Sequence, residues 1–291
     1  MFLEINNFMK KQLFAALTAV ATVAIGAVEA KADVIWGQAN SPVPYENAEP
    51  FIGTQLDGLT ETQLNVPWSV GCPSESSSSV ARVYGFADFN QDGNKDVLYH
   101  LSDGDVYIAL GTGAWNTYSS CVLLQNVPLD WYAVPAKLVG DGHVDIAWHN
   151  KSSGAFGLWE MNGTAVAGYA GVSGADTIPP EWILSASSDF NADGKDDLVW
   201  RNTTSGQNAI WVLDNGTIVD VKFLTDVPSG WYIRGAGDYN GDGKPDLLWW
   251  SPSAAPDGLT AVWVLNEYLQ ITAAPLLTSP GANYIPLGGW D

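Results

Sequence analysis

The chain has 291 residues, of which 46% are hydrophobic and 12% aromatic, with 14 Trp. That is enough for one large domain or two small ones around a sizeable core, and it excludes a disordered chain. A formal net charge of −20 argues against nucleic acid or an anionic membrane as a partner.

Residues 1–32 read as a signal peptide. Lys10 and Lys11 form a basic start, Leu13 to Val28 is an apolar run, and Ala30 and Ala32 frame a small-x-small cleavage site. The apolar run is short for a spanning helix. The expectation is an exported protein, in the periplasm, at the cell surface or secreted, with no membrane contact after cleavage. Cys72 and Cys121 are the only cysteines. In an oxidising compartment they would pair, and two buried free thiols are the alternative.

An acidic nine-residue pattern follows, three times over. Its side-chain oxygens come from Asp88, Asn90, Asp92 and Asp96, then Asp189, Asn191, Asp193 and Asp197, then Asp238, Asn240, Asp242 and Asp246. Gly stands at the sixth position of each copy. The seventh, Asn94, Lys195 or Lys244, is placed to offer its carbonyl. This spacing suits calcium, a hard cation that takes about six to eight oxygens. The expectation is three structural calcium ions. The metal-free alternative is an Asx-rich turn satisfied by its own backbone. A fourth, degenerate copy has Lys137 and Val139 where the first two ligands belong, followed by Asp141 and Asp145. It is expected to hold no calcium, with the Lys137 ammonium among Asp141 and Asp145 instead.

The Asp-Gly pairs at Asp92, Asp141, Asp193 and Asp242 lie 49, 52 and 49 residues apart. Short β-branched and aromatic runs recur around them. A first run precedes each loop (Trp131 to Val134, Trp182 to Ser185, Trp231 to Arg234). A second follows it (Asp96 to Tyr99, Asp145 to Trp148, Asp197 to Trp200, Asp246 to Trp249). A third comes after a polar turn (Gly157 to Met161, Ala209 to Leu213, Ala261 to Leu265), and a weaker fourth precedes a Pro-rich turn. Four strands in a unit of about 50 residues is the pattern of a β-propeller blade. The predicted blades are about 80–128, 129–179, 180–228 and 229–282. Asp33 to Trp36 matches a second strand and Tyr284 to Trp290 a first strand. A fifth blade, 33–79 plus 283–291, would be split between the ends and close the ring. The fold expected is an all-β, five-bladed β-propeller with its calcium loops between first and second strands.

The loops and their Trp-bearing flanks resemble the FG-GAP (VCBS-type) repeat family, whose calcium-loop blades also build the propeller of integrin α-chains. The resemblance covers roughly Val80 to Asp291 and, more faintly, Asp33 to Pro73. It implies a β-propeller with extracellular or periplasmic binding roles and no one activity.

Most Trp recur with the repeat, which suits packing between blades, and a ring of sugar-stacking pockets is the alternative. Trp68, Trp115, Trp290 and Tyr118 lie off that grid and are candidate ligand contacts, as is Trp250. The residue after each second-strand aromatic is His100, His149, Arg201 or Trp250. It points to the other face of its strand, where it would mark either an individual binding surface or an ordinary solvated position. No catalytic motif is evident. The function expected is a calcium-stabilised, non-catalytic binding or adhesion module for carbohydrate or a surface protein. A polysaccharide lyase or hydrolase on the same scaffold, or a purely structural subunit, are the alternatives.

Overall fold

The computed structural model describes residues 80–112, 118–175, 177–252 and 259–277, together with three terminal strands at 33–39, 48–54 and 284–290. The predicted signal peptide, Trp68, Cys72 and Trp115 lie outside the described residues, as does the side chain of Trp290. Among the described residues every regular element is a strand.

Four sheets share one plan. The first blade contains β3 (Val80–Ala87), β4 (Asp96–Leu101), β5 (Asp105–Gly111) and β6 (Tyr118–Asn126). The second contains β7 (Trp131–Ala136), β8 (Asp145–Asn150), β9 (Phe156–Asn162) and β10 (Ala165–Ala170). The third contains β11 (Trp182–Ser188), β12 (Asp197–Asn202), β13 (Asn208–Asp214) and β14 (Thr217–Leu224). The fourth contains β15 (Tyr232–Gly237), β16 (Asp246–Ser251) and β17 (Leu259–Leu265). Its outer edge is shared by β18 (Ile271–Ala273) and β19 (Leu276–Leu277), which flank Pro275. Pro has no N–H to give a ladder, so the strand breaks there. Within each blade the strands pair antiparallel in chain order, and β3, β7, β11 and β15 neighbour one another. This is a β-propeller.

Among the described residues the structure has four blades, where the sequence pattern predicts five. The terminal strands β1 (Asp33–Ala39), β2 (Ala48–Thr54) and β20 (Tyr284–Trp290) form a sheet of order β2-β1-β20. It has three strands, and the outer one that would complete a blade is not among the described residues.

The three largest core clusters lie between blades, and two smaller ones lie within the first and the fourth. One cluster joins Leu98, Val106 and Ile108 of the first blade to Ile146, Trp148 and Met161 of the second. Two more join the second to the third and the third to the fourth in the same way. The second strands β4, β8, β12 and β16 are buried along their whole length. Both of their faces are covered, so they read as nearly continuous apolar runs rather than as alternation.

First strands carry a bulge in three blades, at Val83/Gly85, Leu184/Ala186 and Ile233/Gly235. β7 pairs with β8 in unbroken register. Trp131 to Asp145 spans one residue fewer than Trp182 to Asp197, so there is no residue left over to bulge.

Candidate functional site: the acidic loops and the opposite end of the first strands

The three acidic loops are near-copies at the level of atoms. Asp88 accepts backbone N–H bonds from Asp92 at 3.0 Å and Gly93 at 2.9 Å. Asp189 accepts from Asp193 at 3.0 Å and Gly194 at 2.8 Å, and Asp238 from Asp242 at 3.0 Å and Gly243 at 2.8 Å. Asn90, Asn191 and Asn240 each accept the N–H two residues on, and so do Asp92, Asp193 and Asp242. Gly93, Gly194 and Gly243 have φ of +86°, +86° and +82°, in the left-handed region where a side chain is strained.

The ninth-position Asp behaves differently. Asp96 is fully buried, and its two oxygens accept from Phe89 N at 2.9 Å and Gly111 N at 2.9 Å. Asp197 does the same with Phe190 at 3.0 Å and Leu213 at 2.9 Å. Each carboxylate ties the start of its loop to the third strand. Burial pushes Asp96 above the ordinary carboxylate range. In Asp197 and Asp246 burial, with two nearby carboxylates adding to it, raises the pKa to about 7.

As oxygen donors these sets suit a hard cation. In the third loop Asp246 Oδ2 is buried with no hydrogen-bond partner, an oxygen that a cation would satisfy. The carboxylates are held by the backbone, however. Among the described residues no three His, Cys, Asp or Glu side chains converge as they would around a metal.

The degenerate loop keeps the same backbone. Gly142 has φ +85°, and Asp145 accepts from Leu138 at 3.2 Å and Met161 at 3.0 Å. Lys137 does not take the expected place. It is exposed, and none of the ion pairs among the described residues joins it to Asp141 or Asp145. Its backbone instead exchanges hydrogen bonds with Asp196 of the next blade's loop, at 2.7 and 2.8 Å.

His100, His149, Arg201 and Trp250 do not form an individual surface, and they are not solvated. They are 0, 1, 1 and 6% exposed, because their strands are covered on both faces. The first three meet the second-strand Trp of the following blade. His100 lies edge-on to Trp148 and His149 edge-on to Trp200, while the Arg201 guanidinium lies 5.3 Å from the Trp249 ring. These residues also hold the chain as it crosses to the next blade. His100 Nε2 bonds to Gly104 O at 3.1 Å and Val127 O at 2.8 Å. Arg201 donates to Gly206, Val227, Pro228 and Trp231 carbonyls at 2.8–2.9 Å. Burial holds both histidines below the ordinary imidazole range, so they are neutral at pH 7.

The repeat-spaced Trp meet one another within their own blades. Trp148, Trp200 and Trp249 sit against Trp159, Trp211 and Trp263 at 4.6–4.9 Å between centroids. Tyr118 is half-buried against a cluster that contains Tyr99 and Tyr107. Cys121 is disulfide-bonded, and Cys72, the chain's other cysteine, is outside the described residues.

Sequence reasoning did not find a second grouping, at the end of the first strands away from the acidic loops. The Arg82 guanidinium carbon lies 4.2 Å from the Tyr132 ring centroid and Lys151 Nζ lies 5.1 Å from it. Lys151 Nζ also donates to the Tyr132 hydroxyl at 2.9 Å. Two cations therefore share one tyrosine, and none of the ion pairs among the described residues includes either. On the fourth blade, at the same end, Trp250 has Tyr232 at 6.3 Å and Arg234 at 5.9 Å. Arg82 and Tyr132 sit on neighbouring blades, so no local pattern in the sequence could have announced their meeting.

The FG-GAP-like repeat family matches residues 189–249, from the first ligand position of the third blade's loop to the second-strand Trp of the fourth blade. No curated protein matches the chain. Among solved structures, a Photorhabdus luminescens Tc holotoxin pore is 14% identical over 80% of this chain, with a TM-score of 0.42. The dihydro-heme d1 dehydrogenase NirN is 12% identical over 88%, with a TM-score of 0.35. This chain spans 11% and 57% of the lengths of those two chains. The family match over residues 189–249, together with four blades of one plan among the described residues, supports an FG-GAP-repeat β-propeller.

Proposed function

We propose that the protein is an exported binding module that takes acidic carbohydrate at the end of the first strands away from the acidic loops, on Tyr132 and Lys151, with the buried Arg82 behind the tyrosine ring. The observation that carries this is the pair of cations gathered on one tyrosine in a chain of net charge −20. A flat aromatic flanked by cations suits a sugar ring that carries a carboxylate or sulfate. The second grouping, Tyr232, Arg234 and Trp250, offers the same chemistry across the ring.

Calcium in the three acidic loops is part of this reading. Asp88, Asn90, Asp92 and Asp96, with their equivalents in the other two loops, would hold it. Bound calcium neutralises carboxylates that burial and mutual repulsion otherwise drive toward protonation. The terminal sheet β2-β1-β20 is read as the seam of the ring. β20 neighbours both β15 and β3, and β1 pairs with β20 across a bulge like those of the other first strands.

Titration calorimetry with a polyuronate and a neutral glucan tests the binding. Polyuronate binding that weakens with salt and is lost in Tyr132→Ala and Lys151→Glu is the result expected. Binding to neutral glucan alone, or unchanged binding in both variants, overturns it.

A further inference from the structure

The third blade ends in a strand that is complementary to itself. β14 is the outermost strand of its sheet, and the segment before β11 covers only its first residues, through Ser173 N–Gly216 O at 3.0 Å and Ile218 N–Ser173 O at 3.2 Å. From Val219 to Leu224 the outer edge has no strand partner among the described residues. Along that stretch Val219, Val221 and Phe223 are 58, 38 and 67% exposed, a run of large apolar side chains. Asp220 and Lys222 lie between them, also exposed, and meet each other at 2.6 Å.

We infer that β14 pairs antiparallel with β14 of a second copy about a two-fold axis through Val221. In that register Asp220 lies opposite Lys222 of the second copy and Lys222 opposite its Asp220. Val219 lies opposite Phe223, and Val221 opposite itself. The interface is isologous, since each contact between one residue and another is returned by symmetry. It extends the third blade across two molecules by main-chain hydrogen bonds.

Charges on an edge strand ordinarily blunt it against other edges. Here the same two charges select the register. Centring the pair on residue 220 sets Asp220 against Asp220, and centring it on 222 sets Lys222 against Lys222. Like charges directly opposite each other are destabilising. A shift by one residue puts each charge opposite an apolar side chain. Only the register centred on Val221 satisfies both the charges and the apolar residues. The other outer strands lack this arrangement: β10 (Ala165–Ala170) and β6 (Tyr118–Asn126) carry no charged residue.

Sedimentation velocity over a concentration series tests the pairing with two surface variants, Asp220→Lys and Lys222→Asp. The wild type is expected to show a concentration-dependent dimer. Each variant alone should self-associate at least about tenfold more weakly, because both cross-axis pairs become repulsive. An equimolar mixture of the two variants should regain the dimer, since each then meets its complement. A wild type that stays monomeric throughout, variants that dimerise as the wild type does, or a mixture that stays monomeric would each overturn the inference.

Discussion

The second and third blades form the same four-stranded sheet from loops of different chemistry. The third has acids or amides at all four ligand positions, while the second has Lys137 and Val139 at the first two and is one residue shorter before its loop. Yet Asp145 and Asp197 accept the same pair of backbone N–H bonds, and Gly142 and Gly194 turn at the same φ. The difference separates two jobs within one motif. The ninth-position carboxylate and the glycine belong to the fold. The first, third and fifth positions are available for a ligand, and the second blade has given up two of them without losing its shape.

The comparison is broken most directly at the ninth position. Asp145→Ala and Asp197→Ala should each destabilise the protein by about 2–4 kcal/mol, because each orphans two buried N–H groups. Urea unfolding without calcium measures this. A much smaller cost for both variants would mean that the carboxylate matters chiefly through a cation. The next effect is one of pH. Asp197 and Asp246 have folded pKa values near 7, above the ordinary 3.8. Their contribution is fully present below about pH 4 and is lost as pH rises through about 7. The calcium-free protein should therefore lose thermal stability over that range. Calcium, which binds the carboxylate form, should reverse most of the loss, and differential scanning calorimetry with and without chelator reads both arms. The smallest effect sharpens the comparison at the first position. Asp189→Ala should remove one bound calcium by titration, whereas Lys137→Asp should add none, since Val139 still offers no oxygen.

Much of the scaffold was legible because it repeats. The Asp-Gly spacing, the Trp recurring at three positions in each of the last three units and the ninth-position Asp all announced blades of one plan. The count of blades was harder, because three terminal strands match the sequence of a blade without supplying its outer strand. The bulge was also hidden, although a single missing residue between Trp131 and Asp145 records its loss. His100, His149 and Arg201 misled because a residue that differs from unit to unit looks like a surface residue. All three are planar groups able to sit on a tryptophan and bond to carbonyls, and that shared ability appears only once the following blade is in place. The cations over Tyr132 left no trace in the sequence, since they lie about 20 and 50 positions away and are brought together by the β7–β8 pairing and by the packing of neighbouring blades.

The way one blade meets the next has a consequence for ancestry. The second and third units each carry half of two joints: a tryptophan that receives the unit before it, and a histidine or arginine that engages the unit after it. A unit copied whole by gene duplication therefore arrives with both halves in the right order and fits between any two of its siblings. Such a lineage can lengthen or shorten by whole units without inventing a new contact. The limit on its number of units is then set by the angle at which neighbouring blades pack and not by the chemistry of their joints.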